Sequence, residues 1–101
     1  MIKGITIDQE KIIKELLKPY QKEYAFFYYG SRVKGGFSPV SDLDILIKGT
    51  EEMPLFLLTK IKQAFDESSL PYVVNFSDFN KIETSFYELI KKRFGISFLI
   101  Y

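Results

Sequence analysis

Residues 24–48 read YAFFYYGSRVKGGFSPVSDLDILIK. Two apolar runs flank a central part that is rich in glycine, serine and proline. The first run, Tyr24–Tyr29, is aromatic and ends at Gly30, which predicts a strand. Because apolar residues occupy both of its faces, we expect this strand to lie in the interior of the sheet. The second run, Leu43–Lys48, predicts another strand, which ends at Gly49.

The segment between these two strands offers a possible phosphate-binding loop. Residues 31–41 contain two glycines and a proline, so the segment is predicted to be partly loop, with a possible helical turn over residues 31–34. Free backbone N–H groups at a helix start bind phosphate, and glycine allows close approach, so Gly30 and Ser31 are candidates. The alternative is a turn that caps a helix, and the Gly-Ser pair taken alone favours that alternative.

Asp42 and Asp44 are spaced by two at the start of the second strand. This spacing places both carboxylates on the same face of the sheet. Two converging carboxylates repel each other unless a cation neutralises them, and magnesium bridging to a triphosphate is the usual solution. The alternative is a solvent-facing strand start that carries two charges, and an isolated Asp-x-Asp pattern favours that alternative.

The remaining segments alternate between helix and strand patterns. Asp8 is predicted to cap a helix that runs to about Lys18, and Pro19 helps to end it. A second helix is predicted from Pro54 to about Glu67. Tyr72–Ser77 is predicted to be a third strand.

The C-terminal part completes this pattern. Spaced apolar residues over 82–94 predict a final helix that ends at Gly95. Residues 96–101 form a short apolar tail, which is expected to pack on the core or to lie in a subunit interface. The first two strands have no full helix between them, which predicts a mixed sheet in a single domain over residues 1–101.

Composition narrows the possible chemistry. The net charge is +1, from 14 basic and 13 acidic residues, which predicts no extended nucleic-acid surface. Cysteine and histidine are absent from the sequence, so any metal must be held by oxygen, which favours Mg²⁺ or Mn²⁺. No apolar run is long enough to span a membrane and no signal peptide is evident, so we expect a cytoplasmic protein.

The order of these features resembles the signature of the nucleotidyltransferases of the DNA polymerase beta type. In residues 30–44 a strand leads into Gly-Ser, then a glycine-containing loop, then Ser-Asp-x-Asp entering a second strand. The minimal nucleotidyltransferases are the most similar group, and the resemblance extends over essentially the whole chain. It implies the nucleotidyltransferase fold, an α/β (α+β) arrangement in which a mixed sheet has helices packed on one face and the site on the other.

The same resemblance implies roles for individual residues. Gly30 and Ser31 contact the triphosphate of ATP or another nucleoside triphosphate, and Asp42 and Asp44 hold divalent metal. Arg32 and Lys34 lie beside the phosphate loop, where phosphate contact and simple solvation are both open. Tyr28, Tyr29 and Phe37 are candidates for base stacking, although core packing is favoured for the two strand tyrosines.

One position departs from the family pattern. The family places a third carboxylate on the next strand, and the register puts Asn75 at that catalytic position. An amide offers a neutral oxygen but cannot take a proton. Asp78 has the wrong strand parity to replace the missing carboxylate, so we interpret it as a turn or cap residue.

The resemblance also implies an activity and a partner. The implied activity is Mg²⁺-dependent transfer of a nucleoside monophosphate, AMP in particular, to a hydroxyl acceptor. The implied partner is a small helical protein of the HEPN type, with this chain as the antitoxin of a toxin–antitoxin pair. The alternative is an antitoxin or scaffold of the same fold that binds a helical partner and whose catalysis is impaired by Asn75. The residues themselves identify neither the acceptor, nor the base preference, nor the oligomeric state.

Overall fold

A four-stranded mixed sheet organises the protein in a computed structural model that describes residues 4–29, 42–81 and 98–100. The strands are β1 (Tyr24–Tyr29), β2 (Leu43–Gly49), β3 (Val74–Asp78) and β4 (Phe98–Leu99). They lie in the order β3-β2-β1-β4. β1 is antiparallel to both β2 and β4, whereas β2 and β3 are parallel. The predicted mixed sheet and the interior position of β1 are therefore confirmed.

Two α-helices accompany this sheet in the described residues, α1 (Ile7–Leu17) and α2 (Leu55–Asp66). The N-cap of α1 is Thr6, and the prediction of Asp8 was wrong. The Thr6 hydroxyl accepts the Gln9 N–H, and the Gln9 side chain accepts the Thr6 N–H, each at 3.1 Å. This reciprocal pair satisfies two backbone donors at the helix start, which leaves Asp8 inside the first turn. Pro19 lies in the short 3₁₀ helix Lys18–Tyr20 that follows α1.

The hydrophobic core lies between the helices and one face of the sheet. Leu43, Ile45 and Ile47 of β2 are completely buried. They pack in one cluster with apolar residues of both helices, among them Ile13, Leu17, Leu58, Ile61 and Phe65. Because alternate strand residues point to opposite faces, Asp44 and Leu46 lie on the other face of β2. The predicted arrangement of helices on one face is confirmed for α1 and α2.

The C-terminal tail joins the sheet as β4. Phe98 pairs with Tyr28, and Leu99 pairs with Phe27. The Ile100 N–H donates to the Phe26 carbonyl at 2.7 Å, and the Ile100 side chain is only 7% exposed. The expected packing of the tail on the core is thus confirmed for Ile100. The predicted final helix, the possible helical turn over residues 31–34 and Tyr101 lie outside the described residues.

The lengths and compositions of α1 and α2 bear on whether the described residues could cross a membrane. Neither of these α-helices combines the length and the apolar composition that a bilayer crossing requires.

Among the buried side chains of the described residues, one polar atom has no hydrogen-bond partner. The Tyr28 side chain is 2% exposed, and its hydroxyl forms no hydrogen bond within the described part of the protein. Burial, with a smaller effect from Glu10, raises the pKa of Tyr28 far above its ordinary value. We expect Tyr28→Phe to raise the free energy of unfolding by about 1 kcal/mol, because it removes a buried hydroxyl that forms no hydrogen bond with the described residues. Urea denaturation measures this change.

Tyr72→Phe is the matched control for this prediction. Tyr72 is also buried, at 8% exposure, but its hydroxyl donates to the Gln9 side-chain oxygen at 3.2 Å. Its removal should lower the free energy of unfolding by about 1 kcal/mol. Equal destabilisation by both substitutions would show that the Tyr28 hydroxyl has a partner after all.

Candidate functional site

Three neighbouring strands each contribute one polar side chain to a single row across the sheet. Asp44 of β2 is paired with Tyr29 of β1 on one side and with Asn75 of β3 on the other. Paired residues of neighbouring strands point to the same face. Tyr29, Asp44 and Asn75 therefore lie side by side on the face opposite α1 and α2.

The Asn75 amide brings the two aspartates together. Its Nδ2 group donates to the Asp42 carboxylate at 3.0 Å and to the Asp44 carboxylate at 3.4 Å. The expectation that Asn75 lies beside both carboxylates is therefore confirmed. Asp42 immediately precedes β2 and is exposed, whereas Asp44 is half-buried.

The surroundings of Asp44 disfavour its charge. Burial raises the pKa of the Asp44 carboxyl above its ordinary value, and the neighbouring Asp42 charge raises it further. The hydrogen bond from Asn75 acts in the opposite direction but does not cancel these effects. A positive charge between the two carboxylates would relieve both the repulsion and the desolvation. The Asn75 N–H group provides a weak, neutral substitute for such a charge.

The chemistry of these side chains fits a hard divalent cation. Two carboxylates converge on one point, and the Asn75 side chain also carries a carbonyl oxygen, all ligand types that Mg²⁺ binds. Within residues 4–29, 42–81 and 98–100, no group of three or more acidic, histidine or cysteine side chains is placed to hold a metal. The ligand set that the described residues bring together is thus two carboxylates and one amide side chain, from Asp42, Asp44 and Asn75.

Tyr29 and Ser77 form a contact at this site that the sequence does not predict. Their hydroxyl groups share a hydrogen bond of 2.7 Å. Burial raises the pKa of Tyr29, the Asp44 charge adds to this rise, and the bond to Ser77 opposes it. The core position preferred for the strand tyrosines is right for Tyr28 but wrong for Tyr29, because Tyr29 is paired with Asp44 and faces the site.

The Asp78 side chain lies on the opposite face of the sheet from the site. It is paired with Ile47, is 4% exposed, and accepts the Met53 N–H at 2.6 Å. Its other oxygen accepts the Asn80 N–H at 3.0 Å, which closes a turn after β3. The interpretation of Asp78 as a turn residue is confirmed, and its contact with Met53 additionally anchors the segment before α2.

We expect Asp78→Ala to lower the free energy of unfolding by about 2–3 kcal/mol, because it leaves the Met53 N–H buried without an acceptor. Asp78→Asn keeps one acceptor oxygen for the Met53 N–H and loses only the acceptor for the Asn80 N–H, so it should cost less than Asp78→Ala. Urea denaturation of both variants measures the difference. A loss below about 0.5 kcal/mol for Asp78→Ala, the usual size for a surface change, would contradict the anchoring role.

A surface cavity of about 440 Å³ lies away from this site. Tyr24, one of its lining residues, pairs with Gly49 at the opposite end of the β1–β2 pair from Tyr29 and Asp44. Its lining consists of Lys22, Glu23, Tyr24, Thr50, Glu51, Glu52 and Pro54. It therefore includes none of the predicted site residues, and the converging side chains identify the site better than cavity size does.

The predicted phosphate-binding residues lie outside the described part of the chain. These are Gly30, Ser31, Arg32 and Lys34. They follow directly in sequence after Tyr29, the last residue of β1, which is paired with Asp44. Their assignment to phosphate binding stays a prediction.

Two comparisons with known proteins identify the family. A family model described as "Nucleotidyltransferase domain" matches residues 9–97. The chain is also 34% identical over 88 residues to a Haemophilus influenzae protein described as "Probable protein adenylyltransferase MntA". That alignment covers 87% of this chain and 77% of the relative. Together with the mixed sheet, these matches show that the chain belongs to the nucleotidyltransferase family, as a domain of the minimal type.

Proposed function

We propose that this protein transfers AMP from ATP to a hydroxyl group of a partner protein, in a reaction that requires Mg²⁺ or Mn²⁺. Transfer of a nucleoside monophosphate is the general reaction of its family. The choice of AMP and of a protein acceptor is supported by the relative described as a probable protein adenylyltransferase. We further propose a small helical partner of the HEPN type, in a cytoplasmic toxin–antitoxin pair.

The observation that carries the proposal is the convergence of Asp42, Asp44 and Asn75. The two carboxylates lie within hydrogen-bond reach of one Asn75 amide group, on the sheet face opposite α1 and α2. A divalent cation held by these carboxylates would offset charge on the triphosphate and on the oxygens that react. Asp44 is partly desolvated, which strengthens its attraction for a cation relative to that of a fully exposed carboxylate.

The proposed reaction is a substitution at the α-phosphorus of ATP. The acceptor hydroxyl oxygen forms a bond to this phosphorus, the bond to the β-phosphate bridging oxygen breaks, and pyrophosphate leaves. The hydroxyl proton passes to solvent or to a carboxylate. Asn75 cannot accept it, since an amide is not a base at neutral pH. The chain's own contribution is therefore mainly to bind and orient, with Gly30 and Ser31, helped by Arg32 or Lys34, proposed to hold the phosphates.

Transfer of label from ATP to a co-purified partner tests this proposal. The protein is incubated with Mg²⁺ and the product of the neighbouring gene, in parallel with ATP labelled at the α- or the γ-phosphate. AMP transfer puts only the α-label on the partner, whereas phosphorylation puts only the γ-label there. The Asp42→Asn/Asp44→Asn double variant, similar in shape, should transfer neither label. Transfer of the γ-label alone would contradict the proposal.

A second candidate function is supported by Asn75. With an amide at the third carboxylate position, the chain can act as an antitoxin or scaffold that binds a helical partner without turnover. Stable binding of the partner with no label transfer, unchanged by Asp42→Asn/Asp44→Asn, would favour this function. Divalent metal binding separates the two functions poorly, because both retain Asp42 and Asp44.

A further inference from the structure

The hydrogen bond between Tyr29 and Ser77 joins two strands that are not neighbours. Tyr29 ends β1 and Ser77 lies in β3, 48 residues further along the chain. β2 lies between these strands, so they are separated by two strand spacings, roughly 10 Å. The Tyr29 side chain must therefore cross the face of β2 to reach Ser77.

The register fixes where this crossing takes place. Tyr29 starts level with Asp44, whereas Ser77 is paired with Leu46, the next β2 residue on the same face. The phenol ring consequently passes over β2 between Asp44 and Leu46. This position is on the opposite side of Asp44 from Asp42, because Asp42 lies before Asp44 along the chain, immediately ahead of β2. Leu46 is 3% exposed on this face, which agrees with a covered strand surface.

We propose that Tyr29 is a positioning residue, whose ring, held by Ser77, confines the Asp44 carboxylate to the side of Asp42 and Asn75. Asp44 is then bordered by the Tyr29 ring in one direction and by the Asn75 amide on β3. Its carboxylate is restricted to the orientation in which it converges with Asp42. The link to metal binding rests on the proposed function, whereas the restriction of Asp44 does not.

The Ser77 bond is what makes the ring an effective barrier. A phenylalanine at this position would keep the apolar ring, but nothing would fix its far end over β2. Residues that orient metal ligands typically change metal affinity by 10–100-fold when they are removed. Because Tyr29 and Ser77 act as one unit, loss of either hydroxyl should have nearly the same effect as loss of both.

The first test measures Asp44 in the metal-free protein. Three-bond couplings of the Asp44 β-protons, obtained by NMR, report whether the side chain occupies one χ1 rotamer or several. We expect one dominant rotamer in the unmodified protein and averaged couplings in Tyr29→Phe, Ser77→Ala and the double variant. Ser77→Thr keeps the hydroxyl and should restore the dominant rotamer. Tyr24→Phe, on the same strand but at its other end, is the matched control and should change nothing.

The second test titrates Mn²⁺ into the same variants and follows free Mn²⁺ by electron paramagnetic resonance. Tyr29→Phe and Ser77→Ala should each weaken binding by about tenfold, and the double variant should be no weaker than the single ones. Unchanged Asp44 couplings in these variants would overturn the proposal, even if thermal stability fell. An unmodified protein that binds no Mn²⁺ would instead refute the metal part of the proposed function, and the couplings would still decide the role of Tyr29.

Discussion

Asn75→Asp is expected to raise the rate of AMP transfer by at least about tenfold, equivalent to about 1.4 kcal/mol of the activation barrier. The Asn75 amide lies 3.0 Å from the Asp42 carboxylate and 3.4 Å from that of Asp44, so the substitution places a third carboxylate at the site. This carboxylate adds negative charge for a second cation and provides a base for the acceptor hydroxyl. Initial rates with α-labelled ATP and saturating Mg²⁺ measure the gain.

The same substitution should lower the stability of the metal-free protein. It removes the N–H donor that both aspartates use and adds a like charge beside an Asp44 carboxyl whose pKa is already raised. Mg²⁺ should restore much of this stability, because a cation offsets the repulsion. Thermal unfolding with and without Mg²⁺ measures both effects, and the metal-induced rise in Tm should be larger for Asn75→Asp than for the unmodified protein.

Asn80→Asp is the matched control for this experiment. It adds the same charge shortly after β3, where the Asn80 side chain contacts the Gly49 carbonyl and not the aspartates. It should change neither the transfer rate nor the response to Mg²⁺. Full activity of the unmodified protein with no gain from Asn75→Asp would contradict the prediction. That result would point to a water molecule as proton acceptor, because Asp78 faces the opposite side of the sheet.

Local sequence patterns were sufficient to predict the elements that carry the site. The period-two alternation of β2 already separates Leu43, Ile45 and Ile47 from the aspartates, because a strand has only two faces. By the same parity, Asn75 and Asp78 lie on opposite faces of β3. The register of that strand is strongly determined, since a shift by one residue would bury Asn75 and expose Phe76.

Contacts between distant residues could not be predicted in this way. The Tyr29–Ser77 bond and the Asp78–Met53 bond both depend on how β3 docks against the rest of the sheet, which strand parity alone does not specify.

The wrong prediction of Asp8 as the N-cap of α1 has a different cause. Thr6 and Asp8 are both good N-cap residues, and the reciprocal bonds with Gln9 favour Thr6. A threonine followed three residues later by glutamine was the signal that could have identified this cap.

Asp42→Ala and Asp44→Ala, combined in one variant, are expected to abolish most of the thermal stabilisation that ATP and Mg²⁺ give. A ligand at about 100 times its Kd stabilises the native state by about 2.7 kcal/mol, which raises Tm by roughly 10 °C or more in a domain of this size. The loss should not arise from unfolding of the variant. Burial and the Asp42 charge raise the pKa of Asp44, so the folded state disfavours the ionised carboxylate. At neutral pH this carboxylate is ionised and therefore lowers the free energy of unfolding, so its removal should not unfold the protein.

Two controls separate the loss of the site from a general effect of removing charge. Asp66→Ala removes an exposed carboxylate at the end of α2 and should leave the full ligand-induced rise in Tm. Asp42→Asn/Asp44→Asn keeps the shape of both side chains and should lose the rise as completely as the alanine variant, because a divalent cation needs their negative charge. An unchanged rise in a folded Asp42→Ala/Asp44→Ala variant would remove both residues from the nucleotide and metal site. If the variant loses the rise in Tm that ATP gives with Mg²⁺ but keeps the rise that ATP gives alone, Asp42 and Asp44 bind the metal rather than the nucleotide.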